Sequence, residues 1–260
     1  MTAPARGGGL TGAVAAEWTK LWSVRATWWS LGGALALMLG YSTLSAMAQR
    51  YEGDRPLGTH DIAIGGGFYL AQFALIAMAT LYVTSEYGSG SIRSTLLWTP
   101  VRSRVVTAKA AVIAPVLFTA GAVLTLAGMA LSGTLKDGHG LPTTFPAAAT
   151  ATLGMGGYCA LMGLLCTGIA WTLRSAAGTL VTVIVLLVPL PLIVASLGLP
   201  ELMPYFPAIA GLNAMVEAGH PNPMTMTMAP YAPWVGLAIC AGWAAAALLT
   251  GAAVLRRRDA

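Results

Sequence analysis

The 27-residue stretch AAATATLGMGGYCALMGLLCTGIAWTL (residues 147–173) contains no charged side chain. A helix needs about 20 apolar residues to cross the hydrocarbon core of a bilayer. Its backbone N–H and C=O groups must find partners within the segment, because that core contains no water. We therefore predict that this stretch is a transmembrane helix.

The rest of the chain has the same character. It has 260 residues, of which 57% are hydrophobic and only 9% are charged, whereas about 25% of a soluble domain is charged. Its mean hydropathy is +0.72. We predict an all-α membrane protein with one domain at 27–255, a preceding segment at 1–26 and a basic tail at 256–260. The six predicted spans are residues 27–48, 62–84, 110–131, 147–173, 176–197 and 234–255.

Basic residues indicate the orientation of these spans. Counting on alternate sides gives 11 Lys and Arg on the side of the N-terminus and 3 on the other. Cytoplasmic loops carry the excess of basic residues, so both termini are predicted to be cytoplasmic. The first 26 residues lack the pattern of a secretory signal, so the first span is expected to be retained. Basic residues at span ends meet anionic lipid, which predicts a lipid partner and no nucleic acid.

The sequence lacks the motifs that several kinds of chemistry need. The chain has no GxxxxGK[ST] and no HExxH motif, and its three cysteines form no CxxC pair. We therefore expect no catalytic residue, no metal site and no nucleotide-binding site in this chain. The predicted spans also contain no ionisable side chain, since Lys109 is assigned to the second loop. This pattern disfavours an ion-coupled carrier, which usually needs such groups in the bilayer.

The segment before the first span is predicted to be an amphipathic helix. Val14, Trp18, Leu21 and Trp22 recur at helical spacing, with tryptophans suited to the membrane interface. We call this segment the elbow helix. It either only anchors the chain at the membrane surface or moves when a cytoplasmic partner pushes against it.

The second loop is the longest predicted cytoplasmic connection. Gly88 and Gly90 are expected to end the second span, Ser89 or Ser91 to cap a short helix, and Pro100 to stop it.

That short helix groups apolar side chains. Ile92, Leu96 and Leu97 fall on one side and Arg93 on another, which predicts an apolar patch that faces the cytoplasm. Two interpretations are open: the patch docks a soluble protein, or the segment lies on the membrane and its basic residues bind lipid phosphates.

The loop at residues 198–233 is rich in proline and yet apolar. It is predicted to fold back as short re-entrant or interfacial helices. Pro189 and Pro191 are expected to kink the fifth span, and Pro115 the third. Met224, Met226 and Met228 alternate, which allows a Cu(I) site, although methionine is also an ordinary interfacial hydrophobe.

Four segments together resemble the bacterial ABC-2 type transporter permeases. They are EWTKL (17–21), EYGSGSIRSTLL (86–97), PVRSR (100–104) and LRRRDA (255–260). The resemblance implies the membrane subunit of an ABC exporter, paired with a separate ATP-binding subunit and a second permease copy or paralogue. ATP and magnesium would be bound by the partner, and this chain would hold no cofactor. The substrate would be hydrophobic or amphipathic: a drug, an antibiotic, a peptide or a lipid-like molecule.

The resemblance also implies three groups of functional residues. The coupling helix after span 2 would contact the ATPase, the elbow helix would add a second contact, and the region before span 6 would shape the exit. The coupling residues are Glu86, Tyr87, Gly88, Ile92, Arg93, Leu96 and Leu97; the elbow residues are Glu17, Lys20 and Arg25; the exit residues are Pro189, Pro191, Tyr205, Phe206 and Asn213. The alternatives are a non-transporting membrane anchor or immunity protein, a copper-related ABC permease, and a passive channel or secondary carrier.

Overall fold

The structure is a computed structural model that describes residues 9–51, 57–98, 101–137, 139, 141–222 and 225–257. The side chains of residues 51, 96 and 98 lie outside that description. Within the described ranges every regular element is helical. The α-helices are α1 (Gly9–Ser23), α2 (Arg25–Tyr51), α3 (Thr59–Gly66), α4 (Gln72–Gly88), α5 (Ile92–Trp98), α6 (Arg102–Lys136), α7 (Phe145–Leu173), α8 (Ala176–Leu187), α9 (Pro189–Ser196), α10 (Pro207–Met215) and α11 (Pro233–Arg257).

Five helical segments in the described part of the chain are long and apolar enough to cross a membrane. A sixth span results if α8 and α9 are counted together, since they meet at a bend of 41°. The protein is therefore all-helical with the architecture of a multi-pass membrane protein. The five segments are Arg25–Arg50, Thr59–Gly88, Arg102–Lys136, Phe145–Leu173 and Pro233–Arg257.

Proline explains the break in the sixth candidate span. Pro189 occupies the first turn of α9 and has no backbone N–H to continue the hydrogen bonds of α8. The predicted kink at Pro189 is thus confirmed. α6 continues through Pro115, from Arg102 to Lys136, so the kink predicted there stays a prediction.

Helix α6 corrects the predicted beginning of the third span. The predicted span begins at residue 110, whereas α6 begins at Arg102. Lys109 therefore lies about two turns inside the helix and is fully buried, not in a loop. The absence of ionisable side chains from the candidate spans, which counted against a carrier, does not hold at this position.

Helix α7 forms the centre of the bundle and packs against α4, α6, α10 and α11. Small residues allow the closest approaches. A Cβ atom at Gly168 would lie 2.5 Å from the carbonyl oxygen of Ala247 on α11, and one at Gly154 would lie 2.5 Å from that of Ala214 on α10. Glycine at such contacts lets helix backbones pack directly on each other, as is common in membrane bundles.

A π-helical segment, Gly67–Ala71, joins α3 to α4. The side-chain amide of Gln72 donates to the carbonyl oxygen of Phe68 within this segment. Tyr158 of α7, which is fully buried, donates its hydroxyl to Gln72 Oε1 at 2.7 Å. The widened helical turn and its buried amide are thereby hydrogen-bonded, as buried polar groups require.

The two ends of the bundle differ in charge. At one end Arg102 donates to the carbonyl oxygens of Leu255 at 2.6 Å and Arg256 at 3.0 Å, which joins the start of α6 to the end of α11. We call this end the basic end, because it holds nine of the eleven basic residues in the described ranges. These nine are Lys20, Arg25, Arg93, Arg102, Arg104, Lys109, Arg174, Arg256 and Arg257.

The opposite end carries the connections α2–α3 and α6–α7 and the segment before α11. The ammonium of Lys136 donates to the carbonyl oxygen of Leu57, and the hydroxyls of Thr59 and Thr143 are 2.7 Å apart. In the segment predicted to form short helices, a 3-10 helix at Pro200–Tyr205 precedes α10. Every residue of α10 is buried. The prediction of short helices within residues 198–233 is confirmed, and their re-entrant or interfacial position stays a prediction.

Candidate functional site

A buried group of charged side chains lies at the basic end, where α1, α4, α5 and α6 meet. Lys109 is at its centre, with its Nζ atom 2.6 Å from Glu17 Oε2 and 2.7 Å from Glu86 Oε1. Lys20 Nζ lies 2.8 Å from Glu17 Oε1 and 3.1 Å from Glu86 Oε1. We call Glu17, Lys20, Glu86 and Lys109 the ionic cluster. Two carboxylates and two ammonium groups make its formal charge zero.

Neighbouring polar side chains extend the ionic cluster. The hydroxyl of Tyr82 donates to Glu17 Oε2 at 2.8 Å, and the Lys109 ammonium lies 4.3 Å from the centroid of the Tyr82 ring. Lys20 also donates to Thr95 Oγ1 on α5 at 3.0 Å. Through Lys20, the short helix α5 is therefore tied to the same charges that join α1, α4 and α6.

Burial sets the energetics of this group. The side chains of Lys109, Glu17 and Glu86 are 0%, 4% and 8% exposed, while that of Lys20 is 39% exposed. Removing a charge from water is expensive, and losing one partner of a buried pair typically costs about 3–5 kcal/mol. The ionic cluster therefore fixes the relative positions of α1, α4 and α6, because separating these three helices would leave a charge buried without a counter-charge.

The pKa values on α1 report this mutual stabilisation. Burial raises the pKa of the Glu17 carboxyl, but the opposing effects of Lys109 and Lys20 together lower it below its ordinary value. Burial lowers the pKa of Lys20, and the carboxylates of Glu17 and Glu86 raise it above its ordinary value. Both groups are thus held in their charged forms at neutral pH.

The residues predicted to couple to an ATPase fall into two sets. Glu86 and Ile92 are buried, at 6% and 5% exposure. The burial of Ile92 corrects the expectation that it belongs to an apolar patch on the surface. Arg93 and Leu97 are exposed, and Leu97 is 82% exposed. The side chain of Leu96 lies outside the described part of the chain.

The remaining coupling and elbow residues occupy different surroundings. Tyr87 is half-buried, with its ring centroid 5.3 Å from the guanidinium of Arg174, and Gly88 is exposed as the last residue of α4. Glu17 and Lys20 belong to the ionic cluster, whereas Arg25 is exposed at the start of α2. The structure therefore brings together residues from both predicted contacts, but it places Glu17 and Glu86 inside the protein and not on its surface.

The predicted exit residues lie towards the opposite end. The side-chain amide of Asn213 donates to the Tyr231 hydroxyl at 3.0 Å, and the Tyr205 and Tyr231 ring centroids are 5.9 Å apart. Phe206 stacks on Trp243 with centroids 6.2 Å apart. Tyr205, Phe206 and Asn213 thus share one neighbourhood. Pro189 and Pro191 lie instead in the first turn of α9.

Lys109 is the member of the ionic cluster that the sequence analysis did not identify. Its partners Glu17 and Glu86 are 92 and 23 residues away, so no local pattern pairs them. One signal was present: Glu17 and Lys20 are three residues apart on one helix, which is the spacing of a side-chain ion pair.

Nothing in the described ranges assembles a metal site from histidine, cysteine and carboxylate, since they contain no group of three such residues. Of the alternating methionines, Met226 and Met228 are 69% and 61% exposed. Met224 lies outside the described residues, so the proposed Cu(I) site stays a prediction. Cys159, Cys166 and Cys240 are buried as free thiols.

No protein-family model matches this chain, and no curated protein matches it. In the ionic cluster, buried charge pairs of Lys109 join α1 to the candidate spans that contain α4 and α6, and a hydrogen bond from Lys20 to Thr95 adds α5.

Proposed function

We propose that this chain is the membrane-spanning subunit of an ATP-driven ABC exporter. The observation that carries the proposal is the ionic cluster, which ties α1 and α5 to the ends of α4 and α6. A connection that serves only to join two spans needs neither a separate helix nor a bond to the N-terminal helix. The arrangement suits a surface that receives a mechanical input and passes it to the bundle.

The proposed orientation places the basic end in the cytoplasm. Nine of the eleven basic residues in the described ranges lie there, as the positive-inside rule requires of a cytoplasmic face. In this orientation α1 lies at the inner membrane interface, and its Trp18 is 49% exposed to meet lipid headgroups. The segment that contains α10 then faces outward and forms the proposed re-entrant part of the bundle.

The docking surface for the ATP-binding subunit is the exposed side of α5. Leu97 and Arg93 supply an apolar contact and a positive charge, and both are accessible. Ile92 instead anchors α5 to the bundle, since it is buried at 5% exposure. Glu17, Lys20 and Glu86 act behind this surface by holding its position. Arg25 is free to take part in a second contact at the start of α2.

Energy would come from the partner. The sequence contains no GxxxxGK[ST] nucleotide-binding motif, so ATP and magnesium would bind in the separate subunit. Closure of two ATP-binding subunits would move α5, and the ionic cluster would move α1, α4 and α6 with it. Two permease copies, or this chain and a paralogue, would then open towards the outside. The substrate would be hydrophobic or amphipathic.

Co-purification tests the docking surface. The chain is expressed with a candidate ATP-binding subunit from the same genome, and the amount of that subunit recovered through a tag on this chain is measured. Replacing Leu97 by Asp should reduce that recovery at least tenfold, because a charge replaces an apolar side chain of α5 that is 82% exposed. Replacing Arg93 by Glu should reduce it as well.

A matched control separates docking from folding. Leu141 is 52% exposed at the opposite end, so Leu141→Asp should leave ATPase recovery unchanged. All variants must melt within a few degrees of the unmodified chain. Full recovery of the ATPase with Leu97→Asp and Arg93→Glu together would remove α5 as the docking surface. An activity in cells that persists without any ATPase would favour the non-transporting anchor.

A further inference from the structure

A cavity of 590 Å³ lies between α7, the end of α10 and the start of α11. Most of its wall is apolar, and it carries one charged side chain, Glu217. The aromatic ring of Trp234, which is 71% exposed, forms another part of the wall. The residues that give the cavity its character are Leu153, Gly154, Ala214, Glu217, Trp234 and Leu237.

Glu217 also lines a second, smaller cavity of 250 Å³. Asn213, His220 and Tyr231 bring polar groups to this cavity, and its other lining residues are apolar or glycine. The Glu217 carboxylate thus lies beside apolar walls in both cavities. Such an arrangement matches a ligand that has a charged head and a hydrocarbon body.

The carboxylate of Glu217 is available to a ligand. Among the residues that the structure describes, no hydrogen bond or ion pair occupies it, and the residue is only half-buried. Glu17 and Glu86, by contrast, are fully engaged with lysines at the basic end. A carboxylate beside apolar walls attracts a cation more strongly than one that is fully surrounded by water, because the local dielectric constant is lower.

The charge of the surrounding sequence favours a cation in the same way. Residues 198–233 contain Glu201 and Glu217 but no lysine or arginine. Between Lys136 and Arg256 the only lysine or arginine is Arg174, which lies at the basic end. At this end of the bundle, α7, α10, α11 and the segment before α11 therefore contribute no lysine or arginine that would pair with Glu217.

The wall beside Glu217 is held in place by a polar network. Asn222 donates to Asn213 Oδ1, Asn213 donates to the Tyr231 hydroxyl at 3.0 Å, and Tyr231 donates to the carbonyl oxygen of Pro204. Asn213 and Asn222 are 4% and 2% exposed. These buried bonds fix the chain on both sides of Glu217, so the carboxylate does not depend on a ligand for its position.

We propose that this site binds an amphiphilic monovalent cation. The ammonium head pairs with the Glu217 carboxylate and lies against the Trp234 ring, which attracts cations through its π-face. The hydrocarbon body packs against Leu153 and Leu237. Within the exporter proposed above, on which this last step depends, the site is where the substrate leaves, and the substrate class narrows from amphipathic molecules to amphiphilic cations.

The same ammonium chemistry has two sources, a free lipophilic cation and the amine of phosphatidylethanolamine. The experiment uses the full chain in nanodiscs of digalactosyldiacylglycerol, whose uncharged sugar head group carries no ammonium, with rhodamine 6G as the cationic probe and fluorescence anisotropy as the readout. Empty nanodiscs correct for partition into lipid. No ATPase is present, so the result is independent of whether the chain couples to one.

Glu217→Gln keeps the shape of the side chain and removes its charge, and should weaken rhodamine 6G binding about tenfold. Glu217→Asp keeps the charge and should retain affinity within about threefold, and Trp234→Ala should weaken binding about threefold. Glu201→Gln, which removes the other carboxylate of this segment outside the cavity, should have no effect. Binding of the uncharged dye Nile red should not respond to Glu217→Gln.

A second arm includes phosphatidylethanolamine in the nanodiscs. Weaker rhodamine 6G binding in the unmodified chain, but not in Glu217→Gln, identifies the lipid amine as the resident ligand. Unchanged binding identifies a free amphiphilic cation. Equal affinity of rhodamine 6G for the unmodified chain and for Glu217→Gln overturns the site, whatever the outcome of co-purification with the ATPase.

Discussion

The ammonium of Lys109 lies 2.6 Å from the carboxylate of Glu17, although the two residues are 92 positions apart in the chain. The bond joins the N-terminal helix to α6, and the contact of Lys109 with Glu86 at 2.7 Å joins α4 to the same point. Because Lys109 is fully buried, these bonds do not compete with water. They hold α1, α4 and α6 together at the basic end.

Replacing Lys109 by Met should destabilise the protein by about 3–5 kcal/mol, since it leaves the carboxylates of Glu17 and Glu86 buried with one counter-charge fewer. The measurement is the thermal unfolding of the purified chain in a fixed detergent. Adding Glu17→Gln to Lys109→Met should recover part of the loss, because it removes one of the unpaired charges.

The control for this variant is Arg104→Met on the same helix. Arg104 is exposed, so its replacement should change stability by no more than about 0.5 kcal/mol. Equal melting of Lys109→Met and Arg104→Met would mean that the ionic cluster contributes nothing to the fold.

Acid should weaken the ionic cluster through Glu17. The pKa of this carboxyl is lower in the folded protein than in the unfolded chain, where it is about 4.3. Its contribution is therefore complete above that unfolded value and is lost as pH falls through the lower folded value. The melting temperature should decline at the acid end less steeply in Glu17→Gln than in the unmodified chain. Parallel declines would assign the acid sensitivity to other groups.

High pH should weaken the ionic cluster through Lys20. The pKa of its ammonium is raised in the folded protein, so its contribution is present below the unfolded value of about 10.4 and is lost as pH rises through the folded value. Melting temperatures measured above pH 10 should fall more for the unmodified chain than for Lys20→Met. A fall of the same size in both chains would exclude Lys20 as the cause.

The contact between α7 and α11 predicts opposite effects for two glycines. A Cβ at Gly168 would meet the backbone of Ala247 at 2.5 Å, so Gly168→Ala should separate the helices and lower the melting temperature. Gly242 on α11 has no atom within 4 Å of the same position, so Gly242→Ala should be neutral or stabilise by up to about 1 kcal/mol. A Gly168→Ala chain as stable as Gly242→Ala would show that this approach is not tight.

Apolar length predicts most of the fold, because a span needs an uninterrupted apolar segment and this chain contains few charges. The bend at Pro189 and the short helix at Ile92–Trp98 were also predictable from proline and glycine. The beginning of α6 was not, since residues 102–109 include three basic side chains and the helix continues through them. Polar residues limit which part of a helix lies in the hydrocarbon core, but they do not end the helix.

The candidate site was predictable only in part. Glu17, Lys20 and Glu86 were identified through a resemblance, as residues that would touch a partner. Their burial depends on Lys109, and a charge pair between distant residues leaves no periodic pattern in the sequence. Ile92 was assigned to an exposed patch for a related reason: helical spacing groups residues on one face but does not indicate whether that face meets the bundle or the cytoplasm.

The composition of the purified complex tests the central claim most directly. The unmodified chain is expressed with a candidate Walker-motif ATPase from the same genome, isolated through its own tag, and analysed by native mass spectrometry. We expect equal numbers of permease and ATPase subunits in a complex that hydrolyses ATP. Recovery of this chain alone, from cells in which the ATPase is abundant and folded, would contradict the account.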